Sequence, residues 1–195
     1  MDRKIANQKL KGTNQKMPVE IEKKYRLTKM QRQSLLARLP AIGARLQREE
    51  FEVNTIYSGE TLNMERTALR LRRVGKNATL TYKERFPSSS SIKHQREDET
   101  RIENPDAMEA ILDALGFAPA LVYEKKRATW RLGEAEIVMD ELPFGLYMEI
   151  EGKESDIKAI ERKLGVKGLR AELATYPQLT MKKGTKFGSV VEARF

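Results

Sequence analysis

The sequence predicts an α+β fold in which a closed eight-stranded antiparallel β-barrel forms a tunnel and helices pack on its outside. Eight segments alternate between apolar and polar residues as strands do, and turns join most of them. The few helical segments have apolar stripes, which must cover the apolar face of the sheet and leave its charged face on the other side. Eight strands are also enough to close a sheet around a small ligand.

The predicted elements follow one another as one strand, one helix, four strands, one helix, three strands and one helix. The strands are predicted at residues 18–27, 50–58, 68–74, 78–85, 92–103, 121–132, 136–142 and 146–151. A turn at residues 75–77 closes a hairpin, and Gly133 and residues 143–145 mark two later turns. These short connections predict antiparallel pairing, because parallel strands need longer crossovers.

The first two helices are marked by their ends. Thr28 can cap the first helix, which Pro40 should end early or kink. The second helix is predicted at residues 105–115, where Asn104 caps its start and Gly116 closes it.

The last part of the chain carries weaker signals. Ser155 is predicted to cap a third helix that Gly165 stops, and a short helix is predicted near residues 177–183. The end of the chain is predicted to be loose. The predicted division is a flexible basic tail at residues 1–17, the tunnel domain at residues 18–184 and a C-terminal tail at residues 185–195.

Composition and charge limit the function. The chain has 195 residues and a net charge of +9, so an anion is the expected partner. It has no cysteine and a single histidine, His94, which excludes disulfides and sites built from thiolates or clustered imidazoles. Any metal is therefore expected on carboxylates, which favours Mg²⁺ or Mn²⁺. No membrane span or secretion signal is visible, so a cytoplasmic protein is expected.

The strand faces opposite the apolar faces collect charged residues. The bases are Lys24, Arg70, Arg72, Lys83, Lys125 and Arg127, and the acids are Glu20, Glu22, Glu97, Glu99, Asp140, Glu149 and Glu151. On an open sheet these residues would form a solvated surface of ion pairs worth about 0.2–1 kcal/mol each. In a closed barrel they point inward, where unpaired ions are costly and the interior must hold water, metal and a polyanion. Helices on the apolar face favour closure.

An ordered series of short motifs resembles a known family. Glu20-x-Glu22-x-Lys24 resembles the ExExK signature of the CYTH superfamily, also called triphosphate tunnel metalloenzymes. The similarity covers about residues 19–183 and continues with Leu69-Arg70-Leu71-Arg72-Arg73, Thr81-Tyr82-Lys83, Glu97-x-Glu99, Glu124-Lys125-Lys126-Arg127, Asp140-Glu141 and Glu149-Ile150-Glu151-Gly152. One short motif alone is weak evidence, whereas the whole series in order is specific.

The resemblance implies a role for each charged group of the tunnel. Divalent metal would be held by Glu20, Glu22, Glu149 and Glu151, with Asp140 beside them. The triphosphate would be bound by Lys24, Arg70, Arg72, Lys83, Lys125 and Arg127. Glu97 or Glu99 would bind a second metal or a water molecule. These two residues and Lys24 are the expected catalytic residues. The family often shows an arginine two residues before this acidic pair, where this chain has Gln95 beside Arg96, so the register of the fifth strand stays open.

The resemblance also implies an activity. The first hypothesis is a metal-dependent phosphohydrolase that acts on inorganic tripolyphosphate, thiamine triphosphate or a nucleoside triphosphate. A class IV adenylate cyclase, which converts ATP to cyclic AMP and pyrophosphate, would use the same charged residues and is the alternative. A non-catalytic polyphosphate- or nucleotide-binding module is a third hypothesis, against which the metal carboxylates argue.

Net charge by itself suggests RNA binding. Acids interleaved among the bases would repel a phosphate backbone, which argues against a nucleic-acid partner. The expected partner is therefore a small molecule that contains a triphosphate. No membrane partner is expected, and a homodimer is compatible with the sequence.

Overall fold

The fold is described from a computed structural model, which covers residues 19–87 and 91–195. The predicted tail at residues 1–17 and part of the loop at residues 87–91 lie outside the described residues. The elements in chain order are β1 Val19–Leu27, α1 Lys29–Ala41, β2 Arg45–Ser58, β3 Thr67–Val74, β4 Asn77–Arg85, β5 Lys93–Ile102, α2 Pro105–Ala114, β6 Ala118–Leu132, β7 Ala135–Leu142, β8 Gly145–Glu151, α3 Glu154–Leu164, α4 Tyr176–Lys183, β9 Thr185–Phe187 and β10 Val190–Ala193.

Eight of these strands close into an antiparallel barrel, which confirms the predicted fold class. The strands pair in the order β2-β3-β4-β5-β1-β8-β7-β6, and β6 pairs back with β2. Both strands of this closing seam begin earlier than predicted, at Arg45 instead of residue 50 and at Ala118 instead of residue 121. The added residues of β2 have no regular apolar alternation, so only their pairing with β6 makes them strand.

The alternation of β1 separates the two faces of the barrel wall. Glu22 and Lys24 are buried and face the tunnel. On the outer face, the hydroxyl of Tyr25 donates a hydrogen bond to Glu161 of α3, and Lys23 Nζ lies 2.6 Å from Glu161 Oε1. Because side chains alternate with a period of two, this outer anchor also fixes which residues point inward.

Helices α1, α2 and α3 cover the outer face of the barrel. Leu35 and Leu39 of α1 and Ile157, Ile160 and Leu164 of α3 pack on apolar residues of β1, β7 and β8. Burying each such side chain contributes about 1.5–3 kcal/mol. Helix α2 packs in the same way over β2, β3 and β4. Among the described residues, no helix has the length and apolarity needed to cross a membrane.

The predicted helix starts are right for two helices and wrong for one. The side chains of Thr28 and Asn104 accept backbone N–H groups at the starts of α1 and α2. Ser155 was predicted to cap α3, but the N-cap is Lys153, which makes no side-chain cap bond. Ser155 lies inside the first turn, where the neighbouring acids suit the helix dipole. Pro40 lies in the last turn of α1, which ends one residue later.

The end of the chain forms a hairpin, although the sequence predicted a loose end. Strand β10 pairs in parallel with residues 121–123 of β6, and β9 pairs with β10. On this side of β6, pairing with β7 starts only at Lys126, so the first half of β6 has a free edge that β10 covers. Such short strands depend on a partner far away in sequence, which local patterns do not reveal.

Candidate functional site

The barrel encloses a charged cavity of about 280 Å³. It is lined by all of the sequence-predicted site residues except Asp140, which is fully buried beside it. The predicted residues that line it are Glu20, Glu22, Lys24, Arg70, Arg72, Lys83, Glu97, Glu99, Lys125, Arg127, Glu149 and Glu151. The first residues of α4 also reach the cavity, so this helix lies at one end of the tunnel.

Three carboxylates, Glu20, Glu22 and Glu151, form a cluster that we call the carboxylate trio. One oxygen of each lies within 4.8 Å of the others. Glu22 lies opposite Glu151 across the β1–β8 pair, and Glu20 is two residues away on the same face. Burial and the charge of Glu20 raise the pKa of Glu151 to about 8. Crowded carboxylate oxygens of this kind fit a divalent cation, which would relieve their repulsion.

Side chains of β4 and β5 hold the trio from the other side. Glu20 Oε2 accepts hydrogen bonds from Lys83 Nζ at 2.7 Å and from Gln95 Nε2 at 2.6 Å. Lys93 Nζ lies 3.3 Å from Glu22 Oε1. Lys93 was not among the predicted site residues, although it shares the alternation of Gln95 and the acids that follow it.

The register of β5 places the acidic pair inside the tunnel. Glu97 lies opposite Lys83, and its Oε2 is 2.9 Å from Lys83 Nζ. Glu99 Oε2 accepts hydrogen bonds from Thr81 Oγ1 at 3.0 Å and from Arg72 at 3.1 Å. Arg96 faces outward over the ring of a tyrosine, so it does not replace the arginine expected at position 95.

Asp140 and Glu149, which the sequence predicts at the metal site with the trio, form ion pairs with basic side chains of the tunnel. Arg127 donates to both oxygens of Asp140, at 2.8 and 2.6 Å, and to Glu149 at 2.7 Å. Arg127 lies directly opposite Asp140 across the β6–β7 pair, and its other terminal nitrogen lies 4.0 Å from Glu151 Oε1 of the trio. Although burial opposes it, the charge of Asp140 raises the pKa of Arg127.

Lys24 is held on several sides. Its Nζ lies 3.3 Å from Glu149 Oε1, donates to the carbonyl of Ala174 at 3.1 Å and lies 3.9 Å from the centre of the Tyr176 ring. The Tyr176 hydroxyl donates to Asp140 at 2.8 Å. Tyr176 was missed by the sequence analysis because it comes from α4, which has no strand alternation to place it.

Glu52 and Asn54 of β2 were also missed. Both are buried, and Asn54 Nδ2 donates to Glu52 at 3.2 Å. Glu52 lies opposite Lys125 on β6, with 3.2 Å between its Oε2 and Lys125 Nζ. A signal was present in the sequence, because Glu52 and Asn54 alternate with Phe51, Val53 and Thr55 and so lie on the opposite face of the strand from them.

A closed barrel with a charged interior defines the protein as one that encloses a small polar ligand. The model of the CYTH domain family matches residues 18–175. This match covers most of the chain, so the protein belongs to the CYTH domain family, as the motif series predicted. Helix α4 and the C-terminal hairpin lie beyond the matched residues.

Solved structures share the fold. A protein from Pyrococcus horikoshii OT3 has a TM-score of 0.70 at 21% identity, covering 80% of this chain and 96% of its own. A candidate adenylate cyclase from Vibrio parahaemolyticus has a TM-score of 0.68 at 20% identity, covering 84% and 98%. A candidate adenylyl cyclase from Hippeastrum, described as having a dominant triphosphatase activity, has a TM-score of 0.64 at 22% identity, covering 87% and 98%. No curated protein matches the sequence.

Proposed function

We propose that the protein is a divalent-metal-dependent phosphohydrolase that acts on a triphosphate held inside the barrel. The observation that carries this proposal is that one cavity is lined by the carboxylate trio and by a large set of cations. Binding a polyanion needs only the cations, whereas metal-assisted phosphoryl transfer uses both groups. Inorganic tripolyphosphate, thiamine triphosphate and nucleoside triphosphates all offer the required chain of phosphates.

The cations of the cavity would bind the phosphate oxygens. We call them the cation set: Lys24, Arg70, Arg72, Lys83, Lys125 and Arg127. Arginine offers planar pairs of donors for bidentate contacts, and lysine offers a compact positive charge. The six side chains come from four strands, so they would contact a bound triphosphate from several sides of the barrel and orient it for in-line attack.

The carboxylate trio is where we propose that Mg²⁺ or Mn²⁺ binds. Its oxygens are close together, and burial and the charge of Glu20 raise the pKa of Glu151. When bound, the metal would neutralise charge on phosphate oxygens. Asp140 and Glu149 would orient Arg127 and Lys24, the partners with which they form ion pairs.

The attacking water needs a group that orients it or takes its proton. Glu97 and Glu99 line the cavity on the wall of β5, and each contacts a member of the cation set. Either carboxylate would meet a water that approaches a phosphate bound to Lys83 or Arg72. Lys24, two residues from Glu22 on the same face of β1, would stabilise the charge that develops on the phosphate.

A class IV adenylate cyclase is the second candidate. The similarity in fold to the candidate cyclase from Vibrio parahaemolyticus supports keeping it, and the similarity to the Hippeastrum protein supports hydrolysis. In a cyclase the ribose hydroxyl attacks the α-phosphate and pyrophosphate leaves. In a phosphohydrolase water attacks the terminal phosphate, the rest of the substrate leaves as a diphosphate, and orthophosphate is released. The products therefore separate the two reactions.

A product assay tests the proposal. The protein is incubated with ATP, tripolyphosphate or thiamine triphosphate, each with Mg²⁺, Mn²⁺ or a chelator, and orthophosphate, pyrophosphate and cyclic AMP are resolved. We expect orthophosphate without cyclic AMP, only when metal is present. Cyclic AMP with pyrophosphate would move the assignment to the cyclase. Binding of the three compounds without any metal-dependent product would favour the binding module.

A further inference from the structure

Glu52 is a buried carboxylate of the barrel that has no role in the proposed chemistry so far. It belongs to β2, where it lies directly opposite Lys125 of the neighbouring strand β6, and its side chain is 1% exposed. It is not a member of the carboxylate trio. A buried anion is costly unless cations and hydrogen bonds compensate it, so its contacts should reveal why it is there.

The contacts of Glu52 are almost all with the cation set. Its Oε2 lies 3.2 Å from Lys125 Nζ, and its Oε1 lies 3.8 Å from Arg72 and 3.9 Å from Arg127. Asn54 donates a hydrogen bond to Oε2, whereas Oε1 is buried and has no hydrogen-bond partner among the described residues. Burial raises the pKa of Glu52, but these cations outweigh it and hold the pKa below its usual range.

The three cations repel one another, and each has a long side chain. Burial and the neighbouring charge of Arg127 lower the pKa of Lys125. A fixed anion between them would hold the three charged ends in one place before a ligand arrives. Its distances to the two arginines are longer than hydrogen bonds, so the N–H groups of the arginines are not used up by Glu52.

We infer that Glu52 is a positioning residue that holds Arg72, Lys125 and Arg127 ready for the phosphates of the substrate. The inference rests on the proposed function, since it assumes that these cations bind a triphosphate. Glu52 would act through the cations and would touch neither the phosphates nor the metal. Without Glu52 the three cations should be less well ordered around the phosphates in the transition state, which lowers the rate of catalysis. The loss of its negative charge should at the same time leave polyanion binding unchanged or tighter.

The test compares Glu52→Gln, which keeps the shape of the side chain, with Glu141→Gln, which removes a carboxylate from the outer face of the barrel. For each protein, kcat and KM are measured with tripolyphosphate and Mn²⁺, and binding of tripolyphosphate without metal is measured by calorimetry. For Glu52→Gln we expect kcat to fall about tenfold or more, with binding unchanged or tighter. Glu141→Gln should match the wild type in all three.

Other results would overturn the inference. An unchanged kcat in Glu52→Gln, with only a lower melting temperature, would leave Glu52 a purely structural role. Loss of Mn²⁺ binding would make it a metal ligand instead. If Glu52→Gln does not fold, Glu52→Asp keeps the charge and withdraws it by one methylene; an unchanged kcat there would also overturn the inference.

The same measurements separate failure of this inference from failure of the proposed function. A wild-type protein that hydrolyses tripolyphosphate while Glu52→Gln does so equally well contradicts only the role of Glu52. A wild-type protein that neither binds nor hydrolyses any triphosphate contradicts the proposed function, and the inference falls with it.

Discussion

Two ion pairs on opposite sides of the barrel wall differ in little except their surroundings. Lys125 and Lys126 are consecutive on β6, and their partners Asp140 and Glu141 are consecutive on β7. The inner pair, Lys125 and Asp140, is separated by 3.6 Å with side chains 2% and 0% exposed. The outer pair, Lys126 and Glu141, is separated by 3.5 Å with side chains 54% and 35% exposed.

The difference shows that exposure to water determines how much a charged pair contributes to stability and how costly its disruption is. Water screens the outer pair, which should contribute about 0–1 kcal/mol. The inner pair belongs to a network in which Asp140 also accepts hydrogen bonds from Arg127 and Tyr176. Removing one member of such a network leaves other charges buried without compensation. The tunnel thus keeps charged pairs away from water, and the outer wall leaves them exposed to it.

The largest expected effect is on catalysis inside the tunnel. Glu22→Gln removes one carboxylate of the trio without changing its shape. We expect metal-dependent turnover of the substrate to fall on the order of a thousandfold, because the metal would lose a ligand next to the phosphates. Steady-state kinetics over a range of Mn²⁺ concentrations checks this. Turnover within tenfold of the wild type at moderate Mn²⁺ would show that the trio does not hold the catalytic metal.

The next effect is on stability and tests the inner pair directly. Asp140→Asn leaves Lys125 and Arg127 buried without one of their anions. We expect the free energy of unfolding to fall by about 3–5 kcal/mol. Urea unfolding followed by circular dichroism measures the change. A loss below about 1 kcal/mol would mean that water or mobile side chains compensate the inner network as well as they do the outer one.

Divalent metal should stabilise the trio, in which one oxygen of each of three carboxylates lies within 4.8 Å of the others. At a concentration about 100 times its dissociation constant, Mn²⁺ should add about 2.7 kcal/mol to the free energy of unfolding. The melting temperature of the wild type should therefore rise with Mn²⁺, and that of Glu151→Gln should rise much less. Equal shifts in both proteins would place the bound metal somewhere other than the trio.

The smallest effect is expected outside the barrel. Glu141→Gln breaks the outer pair with Lys126, and we expect a loss of less than about 1 kcal/mol with unchanged turnover. Urea unfolding and the product assay both measure this variant. A destabilisation as large as that of Asp140→Asn would contradict the comparison, since it would mean that exposure does not weaken the outer pair.

The strand pattern predicted most of the fold because most barrel strands alternate between apolar and polar residues within their own short segment of sequence. The same pattern predicted that Lys24 and Arg127 face inward, and both line the cavity. The hairpin at the end of the chain could not be predicted in this way, because β9 and β10 are short and depend on the free edge of β6. The N-cap of α3 also escaped prediction, since Lys153 makes no cap bond that a sequence pattern would mark.

The site was predicted as a set of charges, and the choice of partners within the set was not. Alternation along β1 and β8 is enough to send Glu20, Glu22, Glu149 and Glu151 to one face, because successive side chains of a strand must point to opposite sides. Strand order and register then decide which of these charges meet. They bring Glu151 beside Glu22, and they set Arg127 opposite Asp140, to which it donates two hydrogen bonds. Contacts of this kind join residues far apart in the chain, so they exist only once the barrel has closed.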